Sequence, residues 1–131
     1  MRFTPNSTPT MPGPAEWFTG EEAIDGIRNP GAQSAVGCGH VRFSPGAWTV
    51  WHTHPKSRTL YVTDGVGLVG TRDGGQELRP GDVVFAEPGE PHRHGAAPGR
   101  FMSHIAIQET DESGQTVVWG EPVTDEQYRR P

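Results

Sequence analysis

The histidines are the side chains of this sequence best suited to chemistry. The sequence contains six, all in the middle of the chain, and four of them form the pairs His52/His54 and His92/His94. On a β-strand, the i, i+2 spacing puts both imidazoles of a pair on the same face. Imidazoles that converge from several strands are suitable ligands for a transition metal. His52, His54 and His92 are therefore the candidate metal ligands.

The other histidines have less specific surroundings. His104 begins an alternation with Ala106 and Gln108 inside a predicted strand, which puts these three side chains on one face. His94 and His104 each have three possible roles: orienting a metal ligand, transferring a proton, or forming a hydrogen bond with the backbone. His40 has no partner at an informative spacing and is interpreted as an ordinary polar side chain.

The composition favours a small β-domain. The 131 residues suffice for one domain, and 18 Gly and 13 Pro exclude a helix bundle because both residue types interrupt helices. No apolar run approaches the ~20 residues of a membrane span, and no basic and apolar leader opens the chain. A single cysteine, Cys38, cannot form an internal disulfide, and a net charge of −5 disfavours nucleic acid. We therefore expect a soluble, cytoplasmic protein without nucleic-acid or membrane partners.

Short strands separated by turns make up most of the chain. Residues 1–14 carry four prolines and no periodic pattern, which predicts a flexible N-terminal arm before a single domain over residues 15–131. Turn sequences such as SPGA, RDGG and EPGEP alternate with the predicted strands, as in a sandwich or a small barrel. Near the end of the chain, Thr124 is the predicted N-cap of a short helix that ends at Tyr128. The predicted strands cover residues 17–24, 37–43, 48–53, 59–63, 66–71, 77–78, 83–86, 92–95, 101–108 and 117–119.

Two segments carry a family resemblance. The segment GAWTVWHTHPKSRTLYVTDG, residues 46–65, resembles the first cupin motif, in which a glycine precedes His-x-His by five residues. The segment GDVVFAEPGEPH, residues 81–92, resembles the second motif, which supplies a third histidine. The further segments PAEWFTG, WHTHP, PHRHGAAP, HIAIQE and VTDEQYRR are similar to a bacterial group of one-domain cupins, the cupin-type hydroxynitrile lyases, which include mandelonitrile lyases.

The resemblance implies an all-β, single-domain cupin jelly-roll β-barrel that assembles as a homodimer or a higher homo-oligomer. It also implies one divalent metal ion per subunit, manganese or iron, with zinc, nickel or cobalt as alternatives. By this resemblance, the metal ligands are His52, His54 and His92. The pocket is then lined by His94, His104 and Gln108.

Three positions depart from the family pattern. The fourth ligand position, Glu in most cupins and Gln in the lyase group, is Arg58 here. A guanidinium is charged and has no free lone pair, so Arg58 cannot bind a metal. The proline before the second-motif glycine lies one place late, at Pro88, and the asparagine often found four places after the third histidine is Ala96.

The side chain of Arg58 leaves three arrangements open. If it points inward, its charge adds to that of the metal, and the site favours an anionic ligand. If it points out of the barrel mouth toward Glu87, Glu90 or solvent, water takes its coordination position. In the third arrangement the metal is weakly bound or absent.

The leading functional hypothesis is a metal-dependent lyase that reversibly cleaves a cyanohydrin, its small-molecule substrate, to an aldehyde and cyanide. The metal would act as a Lewis acid, His94 or His104 would take the hydroxyl proton, and Gln108 would orient the substrate. The alternatives are a three-histidine iron oxygenase or isomerase, and a non-catalytic cupin that binds a small anion through Arg58. The predicted pocket wall consists of Val41, Phe43, Val50, Leu60 and Phe101, and the alternative for each of them is a place in the core.

The segment 17–24 suggests how the chain assembles. A leading strand can extend the sheet of a neighbouring subunit, because an unpaired strand edge exposes backbone donors and acceptors. Trp17 and Phe18 would add apolar area to this contact. The alternative is that both aromatic side chains pack on their own barrel. We predict a homodimer with residues 15–24 in the interface.

Overall fold

The chain folds as an all-β domain with one short helix, as predicted. A computed structural model describes residues 1–6 and 9–129. The described residues form thirteen strands and the helix α1, Asp125–Arg129. The strands are β1 Met11–Pro12, β2 Phe18–Thr19, β3 Glu22–Arg28, β4 Val36–Phe43, β5 Trp48–Thr49, β6 His52–Thr53, β7 Arg58–Gly65, β8 Gly67–Thr71, β9 Gly74–Leu78, β10 Val83–Ala86, β11 Arg93–Ala96, β12 Met102–Glu109 and β13 Val118–Trp119.

Two antiparallel sheets enclose the core. The larger sheet has the strand order β1-β3-β4-β12-β7-β10, and the smaller has the order β2-β5-β11-β8-β9. A separate ribbon pairs β13 with β6. The main apolar cluster joins Phe43, Val62 and Met102 of the larger sheet to Leu78 and Ala96 of the smaller sheet. Because both sheets contribute to this cluster, the core lies between them, as in a β-sandwich of the jelly-roll type.

Two predicted strands are each divided into two. The predicted strand 17–24 breaks at Gly20, whose φ is 86°. A Cβ at Gly20 would lie 2.8 Å from the Cβ of Ala47, so the close approach of these two segments also requires glycine there. The predicted strand 48–53 breaks after Thr49, and β5 then pairs within the smaller sheet while β6 pairs with the ribbon strand β13. This change of partner turns the chain just before the first histidine pair.

The N-terminal residues pack against the same barrel. The strand β1 lies within the predicted arm 1–14 and pairs with β3. The side chain of Phe18 belongs to the main apolar cluster. Trp17 stacks on Trp119 with ring centroids 4.7 Å apart. Both aromatic side chains therefore pack on their own barrel, which is the alternative to their predicted place in a subunit interface.

The helix α1 begins at the predicted cap. The backbone N–H of Gln127 donates to Thr124 Oγ1 at 3.1 Å, and the backbone N–H of Thr124 donates to Gln127 Oε1 at 3.0 Å. This reciprocal pair is a capping box, which satisfies amide groups that the first turn of a helix leaves free. The buried Tyr128 hydroxyl then donates to the carbonyl of Ala96 at 2.7 Å, which holds the helix against β11. No helix among residues 1–6 and 9–129 has the length and apolar character needed to cross a membrane.

Candidate metal centre

The three candidate ligands come from two chain segments that are joined by backbone hydrogen bonds. His52 lies in β6, and His92 directly precedes β11. Their backbones exchange two hydrogen bonds, from the His52 N–H to the His92 carbonyl at 3.1 Å and in the reverse direction at 3.0 Å. Ring nitrogens of His52, His54 and His92 lie within 4.8 Å of one another, and all three residues are buried. The predicted convergence of these three imidazoles is therefore observed.

Hydrogen bonds to the backbone orient each of these three rings. The Nδ1 atom of His52 lies 2.9 Å from the carbonyl oxygen of Val50, and the Nδ1 atom of His54 lies 2.9 Å from that of Thr116. In His92 the corresponding acceptor is the carbonyl of the neighbouring Glu90, also at 2.9 Å. A carbonyl can only accept, so each Nδ1 carries the proton and each Nε2 keeps its lone pair.

The donor set fits a divalent metal. Neutral imidazoles whose Nδ1–H is held by a carbonyl are the usual form of metal-bound histidine. Burial lowers the pKa of all three side chains, that of His54 to about 3, so they are neutral at pH 7. The Nε2 of His92 is buried and has no hydrogen-bond partner in the described part of the chain. A buried lone pair without a donor is explained by a ligand that the protein itself does not supply.

Arg58 points inward, which excludes the arrangement in which it points out of the barrel mouth. Its Nη1 lies 3.3 Å from the Nε2 of His52, 3.2 Å from that of His54 and 3.4 Å from that of His94. The preceding residue, Ser57, has a φ of 81°, a left-handed conformation that is uncommon for residues other than glycine. This turn brings the side chain of Arg58 back over the histidines from the start of β7.

The inward arginine is a cation without an acidic partner. Burial lowers the pKa of Arg58 to about 10, so the side chain stays charged at pH 7. Across residues 1–6 and 9–129, the ion pairs involve other basic side chains, and none includes Arg58. Two of its three hydrogen-bond acceptors, the Nε2 atoms of His52 and His54, carry lone pairs that would bind a metal. Arg58 and a metal at His52 and His54 therefore exclude each other in this conformation.

His94 and His104 form a second, deeper pair of imidazoles. The Nδ1 of His94 lies 3.1 Å from the Nε2 of His104, and both residues are buried. The guanidinium of Arg58 can only donate to His94 Nε2, so His94 carries its proton on Nδ1 and donates it to His104 Nε2. Burial lowers the pKa of His94 well below its usual value and that of His104 to about 3. The two rings form a hydrogen-bonded line that leads from Arg58 into the core.

A cavity of about 260 Å³ opens beside the histidines. His54, Arg58 and Gln108 line it, and Gln108 lies opposite Arg58 in the pairing of β12 with β7. The predicted pocket residues His94 and His104 do not line this cavity but lie behind Arg58. The nearby His40 lies 3.4 Å from Thr63 Oγ1 and belongs to neither group of imidazoles.

Of the five residues predicted for the pocket wall, one lines this cavity and three take the alternative place in the core. Val41 lines the cavity, whereas Phe43 and Leu60 are buried core residues that do not reach it. Val50 is also buried away from it, and Phe101 is 54% exposed at the surface. The sequence did not predict the other side chains of the wall, which are Trp17, Phe18, Ile24, Arg28, Asn29, Pro30, Cys38, Ala106, Thr116, Val117 and Trp119. Most of them come from segments distant in sequence from the histidines, and no local pattern marks them.

Comparison with known proteins identifies the family. The family model described as Cupin domain matches residues 39–105, just over half of the chain. The chain is a cupin. A curated (R)-mandelonitrile lyase from Granulicella tundricola is 52% identical to this cupin over 120 residues, which are 90% of each chain. The resemblance to the hydroxynitrile lyase group inferred from the sequence is therefore confirmed.

Solved structures confirm the fold of this cupin. A cupin-like protein from Thermotoga maritima superposes with a TM-score of 0.84 at 35% identity and covers 90% of both chains. The polyketide cyclase RemF from Streptomyces resistomycificus superposes with a TM-score of 0.68 at 19% identity, over 98% of this chain and 89% of its own. At that identity the cyclase supports the shared fold alone. The lyase relative and the histidine cluster together support an enzyme of the cupin family with a metal site.

Proposed function

We propose that this cupin is a metal-dependent lyase that reversibly cleaves a cyanohydrin to an aldehyde and cyanide. The observation that carries the proposal is the 52% identity to an (R)-mandelonitrile lyase over 90% of both chains. The three-histidine cluster and the buried imidazole pair beside it support the proposal, because cyanohydrin cleavage needs an electrophile near the oxygen and a base for its proton.

His52, His54 and His92 would hold the metal, which we propose to be manganese or iron, with zinc, nickel or cobalt as alternatives. When bound, the ion supplies a Lewis acid that polarises the substrate oxygen. Binding at His52 and His54 requires the guanidinium of Arg58 to leave their Nε2 atoms. The side chain has the length to swing into the adjoining cavity, which it already lines.

The imidazole pair would take the hydroxyl proton. Once Arg58 leaves, the lone pair of His94 Nε2 faces the site, and His94 can accept a proton there while it passes its Nδ1 proton to His104 Nε2. The carbon–carbon bond then breaks, its electron pair leaves with cyanide, and the carbonyl forms. Arg58 would bind an anionic group of the substrate, and the amide of Gln108 would orient the molecule.

Metal restoration tests this proposal. The purified protein is first analysed for bound elements, then stripped with a chelator and reloaded with each divalent metal. We expect benzaldehyde release from mandelonitrile to follow the restored metal, without consumption of oxygen. Oxygen uptake with catechols or diketones, in the absence of cyanohydrin cleavage, would instead support the iron oxygenase. A protein that retains no metal and cleaves nothing would support the non-catalytic anion-binding alternative.

We further propose that the chain forms a homodimer in the cytoplasm. An exposed apolar surface on the larger sheet supports assembly, with Tyr61, Val83, Phe85 and Ile107 each more than a third exposed. Because Trp17 and Phe18 pack on their own barrel, this surface replaces residues 15–24 as the proposed interface. Light scattering is expected to give a dimer for the natural chain and a monomer for a Val83→Ser, Phe85→Ser double variant. A monomeric natural chain would disprove the dimer.

Cys38 remains without a disulfide partner, which is compatible with a reducing compartment.

A further inference from the structure

The cavity beside Arg58 differs in charge from the rest of the chain. The chain carries 16 acidic residues and a net charge of −5. None of the residues that line this cavity is acidic, whereas both Arg28 and Arg58 line it. A cleft lined by charges of one sign concentrates its field inside. The cavity therefore attracts anions although the protein as a whole is anionic.

The two arginines are also without acidic partners. Five other basic side chains form ion pairs, but neither Arg28 nor Arg58 does so in the portion of the chain that is described. The paired residues are Arg42, Lys56, Arg72, Arg79 and Arg129. The Nε of Arg58 is buried without a hydrogen-bond acceptor among these residues. A buried cation without a counter-charge is unfavourable, and an anionic ligand would remove this penalty.

Much of the rest of the cavity wall is apolar, although Asn29, His54, Gln108 and Thr116 also line it. Trp17 and Trp119 both line it, as do Ile24, Val41 and Val117. An inorganic anion gains little from such a wall, whereas an organic anion can bury its carbon skeleton there. The volume of about 260 Å³ lies near the lower end for ligand pockets, which are typically ~300–1,000 Å³. The cavity therefore fits a molecule with one ring or a short branched chain.

Gln108 supplies a neutral polar contact next to the charge. It lies opposite Arg58 on the neighbouring strand and lines the cavity. Its Oε1 is buried and accepts no hydrogen bond from the described residues. A hydroxyl group on the ligand can donate to this oxygen while an anionic group binds the guanidinium.

We infer that the cavity binds a small organic carboxylate, with the carboxylate on Arg58 and the apolar skeleton against Trp17 and Trp119. A carboxylate is the anion that matches the planar guanidinium with two parallel hydrogen bonds. Resting on the proposed lyase function, the inference also names the substrate class: cyanohydrins of aldehydes or ketones that carry a carboxylate, with the hydroxyl near Gln108.

Calorimetry on the purified protein tests the binding claim. Three probes are compared. Benzoate has both the apolar ring and the carboxylate, benzyl alcohol has the ring without the charge, and formate has the carboxylate without the ring. We expect benzoate to bind at least about tenfold more tightly than either of the others. Equal affinity for benzoate and benzyl alcohol would overturn the charge requirement. Equal affinity for benzoate and formate would overturn the apolar part of the site.

Variants locate the bound carboxylate. Arg58→Gln is expected to lower benzoate affinity at least about tenfold, and Arg58→Lys, which keeps the charge, to retain part of it. Arg100→Gln is the matched control, since Arg100 does not line the cavity. Unchanged benzoate affinity in Arg58→Gln would disprove the assignment, because any remaining binding would then occur at a metal or at another surface.

Activity measurements separate this inference from the proposed function. In cyanide addition by metal-loaded protein, kcat/KM for 3- or 4-formylbenzoate is expected to exceed that for benzaldehyde by about tenfold. Benzaldehyde turnover without a preference for either formylbenzoate would overturn the substrate class and leave the lyase proposal intact. Benzoate binding without turnover of any aldehyde would overturn the lyase proposal and leave the carboxylate site intact.

Discussion

Two inward-pointing arginines have opposite environments in this cupin. Arg93 is 1% exposed, donates from Nη2 to the carbonyl of Gln127 at 2.8 Å, and lies over the ring of Tyr128 at 5.3 Å. Gly70, opposite Arg93 in the sheet, leaves room for it, since a Cβ there would lie 2.9 Å from the guanidinium carbon. Arg58 instead contacts three imidazole nitrogens, and a metal could also use two of them, those of His52 and His54.

The difference separates a structural arginine from the one that we propose to be functional. The partners of Arg93 include a backbone carbonyl and an aromatic face, which belong to the helix α1 and hold it against β11. The partners of Arg58 include imidazole lone pairs that could instead bind a metal. No carboxylate among the described residues neutralises the charge of Arg58. The residue type alone therefore does not reveal the role of a buried arginine. What distinguishes the two is whether their hydrogen-bond acceptors could also bind another ligand.

The largest effect is expected from removing the imidazoles beneath Arg58. His52→Ala, His54→Ala and His92→Ala should each lower metal affinity and lyase activity at least about 100-fold, because one of three ligands is lost. Elemental analysis and kcat/KM measure the two effects. His40→Ala is the control and should retain both. Full metal occupancy in any of the three ligand variants would show that the assigned set is wrong.

Stability should distinguish the two arginines next. Arg93→Met is expected to lower the free energy of unfolding by about 3 kcal/mol, because the Gln127 carbonyl loses its donor and the helix loses a contact. Arg58→Met should cost less than about 1 kcal/mol, since an apolar residue there removes an uncompensated charge. Urea unfolding of metal-free protein measures both values. Equal losses would abolish the distinction between the two sites.

Acid should destabilise the region around Arg58. Burial holds the pKa of His54 and His104 at about 3, whereas an unfolded chain has the usual value of about 6.5. The unfolded state therefore binds more protons between these values, and stability should fall as the pH decreases from about 6.5. Each imidazole contributes on the order of 1 kcal/mol per pH unit in this range.

The pH dependence of urea unfolding isolates His104. In metal-free protein, His104→Gln should reduce the slope of stability against pH. An unaltered slope would mean that His104 has the same pKa in the folded and the unfolded states.

The smallest expected effect concerns competition between Arg58 and the metal. Arg58→Gln removes the donor from the Nε2 atoms of His52 and His54 and offers a carbonyl oxygen, so metal affinity should rise by about tenfold. Chelator competition measures this change. Arg93→Gln is the control, and the part of this variant that is folded should bind the metal with unaltered affinity. No increase in Arg58→Gln would show that the guanidinium leaves the histidines at negligible cost.

The sequence predicted the ligands better than it predicted the cavity. The i, i+2 spacing of the histidine pairs follows from strand geometry and is a local property, as is the capping box of Thr124. The inward direction of Arg58 depends on the left-handed Ser57, which nothing in the sequence marks. The wall of the cavity and the partner of Arg93 are contacts between distant segments, and only the folded chain brings them together.

The hydrogen bond from His54 to the Thr116 carbonyl joins residues 62 positions apart, and the residues that pair β6 with β13 are 65 and 67 positions apart. During synthesis, the histidine pair therefore leaves the ribosome long before the segment that orients it. A nascent chain that ends before Thr116 has no acceptor for His54 Nδ1 and no ribbon partner for β6. The three imidazoles consequently reach their final orientation late in folding, after most of the barrel sequence has been made. Capture of the proposed metal would thus be tied to the completion of the domain.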